Sequence, residues 1–335
     1  MTAVLVYVSD SEPGITRRKA GKGFSYRGPS GEALSRDELA RIRALAVPPA
    51  YRDVWICPRH DGHLQATGRD DRGRKQYRYH PQWQATRAGT KYAQLVAFGS
   101  ALPGVRIRMR RDLQGDAGDR DFSLAALVLL LDRTCLRIGN PAYAATNRSF
   151  GASTLLTRHL SLNADGLIQL KFRAKGGKLC HHVLRDKRLN RILQQIGDLP
   201  GRKLFTYLDA AGEVHSLSSQ DVNAYLCELA GAGMTAKTFR TWGGTLAAFE
   251  LATSLAPDAR LSVRMMAEAA AERLFNTPAI CRTSYIHPAV MDLAQLPGVE
   301  RAALLSALPR PELPELRASE RGLLGFLGAA SPVQP

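Results

Sequence analysis

Apolar residues follow two regimes along the chain. Up to about residue 85 they come in short bursts among glycine, proline, tyrosine and arginine. Residues 4–8 and 54–57 read there as strands, and residues 38–45 as a short helix. From Trp83 onward the spacing becomes helical. Residues 92–102 form one such stretch. Residues 123–138 form another, apolar on nearly every side and therefore buried, with Gly139-Asn140 as its stop. Between residues 155 and 183 the pattern alternates instead: LIQLKF begins at Leu167 and LCHHV at Leu179, with turns at Asp165-Gly166 and Gly176-Gly177. Helices resume over 218–229 and 235–255, capped by Ser218 and Thr235, and over 257–275. A proline-containing loop runs from Asn276 to Ser284, and a helix follows near 288–295. Residues 309–314 read as a linker into a short helix over 318–327. The fold class expected is α+β: a small β-rich domain over 1–85, a mostly helical domain over 86–310 with a small inserted antiparallel sheet, and a C-terminal linker and helix over 311–335.

Composition sharpens this picture. The 335 residues suit one large domain or two ordinary ones, and 45% apolar content suffices for a packed core. The 46 basic residues against 30 acidic ones give a net charge of +16. Such a balance points to a polyanionic partner, nucleic acid being the commonest; a solvated basic surface is the plain alternative. The charge is concentrated. Residues 69–111 hold eleven basic side chains, Arg72 and Arg87 among them, and only Asp70 and Asp71 oppose them. Inside this seam, GRKQYRYHPQW from Gly73 interleaves cations with Tyr77, Tyr79 and Trp83. Cations there suit phosphates and rings suit sugars or base edges. Candidate DNA contacts are Arg69, Arg74, Lys75, Tyr77, Arg78, Tyr79, Arg108 and Arg110. A basic strand edge with half-buried tyrosines would look the same.

Other classes lose ground. The five cysteines are odd in number and widely spaced, which favours a reducing, cytoplasmic setting over a disulfide framework. MTAVLVYV has no basic run before its apolar one and reads as a strand, not a signal peptide. The longest apolar run, residues 124–131, is too short to span a bilayer. No segment fits a nucleotide-phosphate loop, and the eight histidines do not sit at metal-ligand spacing with carboxylates. No metal or nucleotide cofactor is expected. The preference for arginine over lysine suits a GC-rich bacterial source.

Phosphodiester cleavage without metal needs a nucleophile, cations for the non-bridging oxygens, and a proton for the leaving alkoxide. Arginine's planar fork suits the second need, and a lysine among other cations suits the third. Four segments offer such groups. Arg137, in TCLRIGN, falls in the last turn of the buried helix. Lys175, in FRAKGGK, falls at a hairpin tip. Arg240, in AKTFRTW, falls in the first turns of an apolar helix. Tyr285, in CRTSYIHPAV, follows the irregular loop. Singly, each has an ordinary reading: a helix-end arginine, a solvated turn lysine, an exposed helix arginine and a core tyrosine.

Taken in order, the segments RIGN, FRAKGGK, KTFRTW and NTPAICRTSYIHPAV, with GRKQYRYH upstream, resemble the type IB DNA topoisomerases, above all the compact poxviral and bacterial ones. The resemblance covers nearly the whole chain. It implies an N-terminal DNA-clamping domain and a helical catalytic domain. It implies that Tyr285 attacks the scissile phosphate to give a 3′-phosphotyrosyl link. Arg137 and Arg240 hold the non-bridging oxygens, and Lys175 protonates the departing 5′ oxygen. Supercoils relax by strand rotation before resealing, without ATP or metal, by a monomer acting on double-stranded DNA in the bacterial nucleoid. One position departs: the poxviral and eukaryotic members carry His nine residues before the nucleophile, and this chain has Asn276, which bacterial relatives tolerate and which donates a hydrogen bond but no charge. Two alternatives stay open. A tyrosine recombinase or integrase resembles the same residue list, but its second arginine follows a histidine by three, where this chain has Lys237. A non-catalytic basic DNA-binding protein would explain the charge alone.

Overall fold

The computed structural model describes residues 5–71 and 73–330, apart from the side chains of residues 87, 88 and 90. The chain forms two compact units that divide after Lys91.

The first unit is built on a five-stranded antiparallel sheet of order β2-β1-β3-β4-β5. Its strands are β1 (Ile15–Ala20), β2 (Gly23–Arg27), β3 (Arg52–Ile56), β4 (Leu64–Arg69) and β5 (Lys75–Tyr79). Helix α1 (Arg36–Ala44) starts at a capping box. The Ser35 hydroxyl accepts from the Glu38 amide, and the Glu38 carboxylate accepts from the Ser35 amide. Ile42 of α1 packs with Ile15, Val54, Ile56 and Ala66 of the sheet into one apolar cluster. The strand expected at residues 4–8 is only a single bridge, Val6 to Gly62. His63 accounts for this: its Nδ1 accepts the Val8 amide at 3.1 Å, while its own amide donates to the Val6 carbonyl. A side chain thus takes the place of a ladder partner. Val4 lies outside the described residues.

Helix α2 (Pro81–Asp112) opens the helical part and runs through Pro103, where the sequence pattern suggests a stop. Val105 and Met109 continue the buried stripe of Leu95, Phe98 and Leu102. Burying each of these side chains contributes roughly 1.5–3 kcal/mol, enough to offset the ~3 kcal/mol cost of an internal proline. Helix α3 (Arg120–Thr134) is buried almost throughout and forms the centre of the second unit. Next along the chain come α4 (Pro141–Asn147), the sheet of β6 (Leu160–Leu162), β7 (Leu167–Arg173) and β8 (Leu179–Arg185) in that order, and α5 (Lys187–Gly197), which packs on α3. The hairpin β9 (Thr206–Leu208) and β10 (Val214–Ser216) precedes α6 (Ser219–Ala230) and α7 (Ala236–Ser254). Helix α8 (Val263–Leu274) begins at its Ser262 cap, later than the pattern suggests, because the cap hydroxyl takes the Met265 amide.

The expected loop over 276–284 is mostly helix, α9 (Pro278–Ser284). Thr277 caps it and Pro278 holds its first position. Then come α10 (Pro288–Asp292), α11 (Gly298–Ser306) and α12 (Ala318–Ala330). The last is no detached appendage: Leu323, Leu324, Phe326 and Leu327 lie in the main core. Its Glu320, fully buried, meets Arg106 at 2.8 Å, and Arg106 also grips Asp132 of α3. Among the described residues no helix is long and apolar enough to cross a membrane.

Candidate active site

Helices α3 and α8 each end in a left-handed residue, Cys135 (φ 52°) and Phe275 (φ 49°). Their final carbonyls converge on Arg240 of α7, whose Nη1 donates to the Cys135 carbonyl and Nη2 to the Leu274 carbonyl at 3.1 Å. Both acceptors sit at the negative ends of helix dipoles, a suitable place for a cation. Arg240 is only 3% exposed, so the plain reading of an exposed helix arginine does not hold. Among the described residues it has no carboxylate partner, and its Nε is buried with no acceptor. The Nδ2 of Asn276, two residues past the end of α8, is likewise buried and unmatched. An unmatched buried donor is costly, and donors of this kind, added to an unneutralised guanidinium, suit a phosphoryl anion.

Arg137 lies past the end of α3, not in its last turn. The Cys135 amide closes the helix on the Leu131 carbonyl. Beyond it the chain runs extended against residues 151–153: the Ala152 amide donates to the Arg137 carbonyl at 2.8 Å and the Ser153 amide to the Ile138 carbonyl at 2.7 Å. Gly151 permits this approach, since a Cβ there would lie 2.5 Å from the Arg137 carbonyl oxygen. Burial lowers the Arg137 pKa and repulsion from Arg240 lowers it further, so the two cations are close enough to oppose each other.

Tyr285 is the C-terminal cap of α9, and its ring lies 5.0 Å from the Arg240 guanidinium carbon. Burial pushes the phenol's pKa up. The charge and hydrogen bond of Arg240, with Arg137 and Lys237, outweigh that and hold it below its ordinary value. Arg137, Arg240 and Tyr285 therefore share one neighbourhood, and Asn276 follows two residues after the Leu274 carbonyl that Arg240 holds. Lys175 sits where the pattern puts it, on the β7–β8 turn, with Gly176 and Gly177 at positive φ. It is exposed and makes no ion pair among the described residues. Sequence reading passed over Lys237 as a site residue, and also over Gly243 and Gly244. Two adjacent glycines inside a helix cost roughly 1 kcal/mol each relative to alanine, a signal of close approach. A Cβ on Gly243 would meet the Cys135 sulfur at 2.3 Å.

The candidate DNA contacts divide. On edge strand β5, Tyr77 is half exposed and stacks on Tyr79 at 6.0 Å. Lys75 lies over the Tyr77 ring and pairs with Asp10. Arg78 is exposed and donates to the Ala46 carbonyl. Arg69 lies 3.6 Å from Asp53, and Arg74 pairs with Asp70. On α2, Arg108 grips Asp112 and reaches Glu228, and Arg110 pairs with Glu315. Arg72 and the side chain of Arg87 lie outside the described residues.

Two family models match the chain. Residues 23–70 fit the N-terminal domain of bacterial DNA topoisomerase IB, and residues 80–280 fit the catalytic core of eukaryotic DNA topoisomerase I. The DNA topoisomerase 1B of Acanthamoeba polyphaga mimivirus is 27% identical over 295 residues, which is 84% of this chain and 88% of the relative. The DNA topoisomerase 1B of vaccinia virus (strain Copenhagen) is 22% identical over 236 residues, 68% of this chain and 71% of its own length. With the catalytic-core match spanning more than half of its residues, the chain belongs to the type IB DNA topoisomerases.

Proposed function

We propose that the enzyme relaxes double-stranded DNA by transesterification at Tyr285. The phenolic oxygen bonds to the scissile phosphorus as the bond from phosphorus to the 5′ oxygen breaks. The phenol's proton passes to solvent, and Lys175 supplies one to the departing 5′ oxygen. Arg137, Arg240 and Asn276 carry the charge on the non-bridging oxygens. The observation that carries this reading is the pair of buried, unmatched donors, Arg240 Nε and Asn276 Nδ2, beside a phenol whose ionisation is favoured. Fixed donors aimed at developing charge are the largest usual contribution to such catalysis. The 3′-phosphotyrosyl bond keeps the energy of the broken one, so resealing needs no ATP. The guanidiniums take the charge-neutralising role that a divalent ion takes elsewhere. Lys175 stands on a turn with two left-handed glycines, which supports a hairpin that closes onto the site when DNA is bound.

The exposed tyrosine and cations of β5 support phosphate and sugar contacts by the first unit. A gripping surface and a catalytic one within a single chain support action as a monomer. The match to a bacterial N-terminal domain, together with the arginine-rich composition, supports a cytoplasmic, nucleoid-associated bacterial enzyme. The test is relaxation of supercoiled plasmid in EDTA without ATP. Wild type relaxes the plasmid and forms a covalent 3′ adduct. Tyr285→Phe does neither, yet binds duplex as wild type does; an adduct formed by the Phe variant would assign the nucleophile elsewhere.

A further inference from the structure

The nucleophile's main chain is held by one hydroxyl on α7. Tyr285 ends α9 and His287 caps α10, so the Tyr285 carbonyl and the His287 amide both lie between helices, where no helical ladder pairs them. Thr245 serves both. Its Oγ1 donates to the Tyr285 carbonyl at 3.1 Å and accepts from the His287 amide at 3.1 Å. Thr245 is fully buried. The preceding residue, Gly244, makes room: a Cβ there would lie 2.9 Å from the Tyr285 carbonyl oxygen and 3.1 Å from the Tyr285 Cβ. Arg240 stands five residues earlier on the same helix, about 7.5 Å along its axis. The cation that meets the phenol and the hydroxyl that holds the phenol's backbone are therefore fixed to one rigid element.

We propose that Thr245, seated beside Gly244, is a positioning residue that sets the attack geometry of Tyr285 relative to Arg240. The inference rests on Tyr285 as nucleophile. A threonine hydroxyl meets the requirement because it both donates and accepts, and its β-branching restricts the rotamer that aims it. A misplacement of about 1 Å at a reacting atom costs about 100-fold in rate.

The test compares Thr245→Val, which keeps the shape and loses both hydrogen bonds, with Thr245→Ser, which keeps the hydroxyl. Single-turnover cleavage of a nicked duplex gives the rate of adduct formation, and anisotropy gives duplex affinity. The Val variant is expected to cleave about 100-fold more slowly with affinity unchanged, and the Ser variant close to the wild-type rate. A Val variant that cleaves at the wild-type rate overturns the proposal. So does equal slowing of Val and Ser, or a loss of affinity that matches the loss of rate. Should the Val variant fail to fold, native-state exchange of the His287 amide in the wild type decides. Protection supports the clamp, and fast exchange overturns it. Tyr285→Phe separates the two readings: if it still forms the adduct, the nucleophile is wrong, whereas a dead Phe variant beside a fully active Val variant removes only the role of Thr245.

Discussion

Two arginines of the same unit, Arg240 buried and Arg106 nearly so, meet opposite surroundings. Arg106 is held by Asp132 and Glu320 and also donates to the Glu315 carbonyl. Arg240 is held by two carbonyls and an aromatic ring, with its Nε unmatched. The first is neutralised within the protein and ties α12 to α2 and α3. The second remains a net cation in a place of low dielectric, where its attraction for a phosphoryl group is strong. Little exposure is common to both; the supply of carboxylates distinguishes a neutralised fastening from a cation left without a counter-charge.

Exchanging the defects is the sharpest way to break that comparison. Arg240→Ala is expected to slow single-turnover cleavage by about 100- to 1000-fold with a smaller stability loss than Arg106→Ala, since two neutral carbonyls and no anion lose their partner. Arg106→Ala leaves Asp132 and Glu320 buried without their shared partner and is expected to cost about 3–5 kcal/mol in denaturant unfolding. Equal stability losses in the two variants would erase the distinction. A smaller effect concerns pH. With its phenol held below the ordinary value, Tyr285 ionises at lower pH than a free tyrosine, so cleavage rises with pH and levels off early. Arg137→Ala removes part of that help and shifts the rise to higher pH; an unmoved profile would place Arg137 outside the ionisation.

Acid sharpens the other side. The Glu320 carboxyl is buried, yet its bonds to Arg106 and Arg317 hold its folded-state pKa well below the usual range. Its contribution is complete above the unfolded value, about 4.3, and fades as pH falls toward the folded one. Wild-type stability should therefore drop on acidification below about pH 4.3, and Glu320→Gln, less stable at neutral pH, should show a flatter slope. The smallest effect expected is at β5. Lys75→Ala should reduce the slope of log affinity against log salt by about one, with cleavage of bound DNA unchanged.

How much of this was legible in the sequence depended on locality. The hairpin with Lys175 at its tip was legible because alternation and paired glycines act within a few residues. The helix bearing Arg240 was legible from its periodicity. The burial of Arg240 was not: its acceptors, the carbonyls of Cys135 and Leu274, come from segments more than thirty residues away in each direction, and carbonyls leave no mark in composition. The nearness of Arg137, Arg240 and Tyr285 was hidden for a related reason, because only tertiary approach brings these groups together. Helix α9 was hidden by its own shortness, since seven residues carry too little periodicity to stand against Pro278. Thr245 looked like any threonine in an apolar helix, and only the neighbouring glycines hinted that another backbone comes close.

The docking of α12 bears on how the enzyme is cut or joined. A fragment that ends soon after Tyr285 retains every residue assigned to chemistry. It nevertheless strips the greasy underside from α7, where the tilted rings of Phe249 and Phe326 meet, and strands Arg106 with half its counter-charge. Designers seeking a minimal nicking-closing fragment should therefore keep α12 and trim the other end, stopping short of α2.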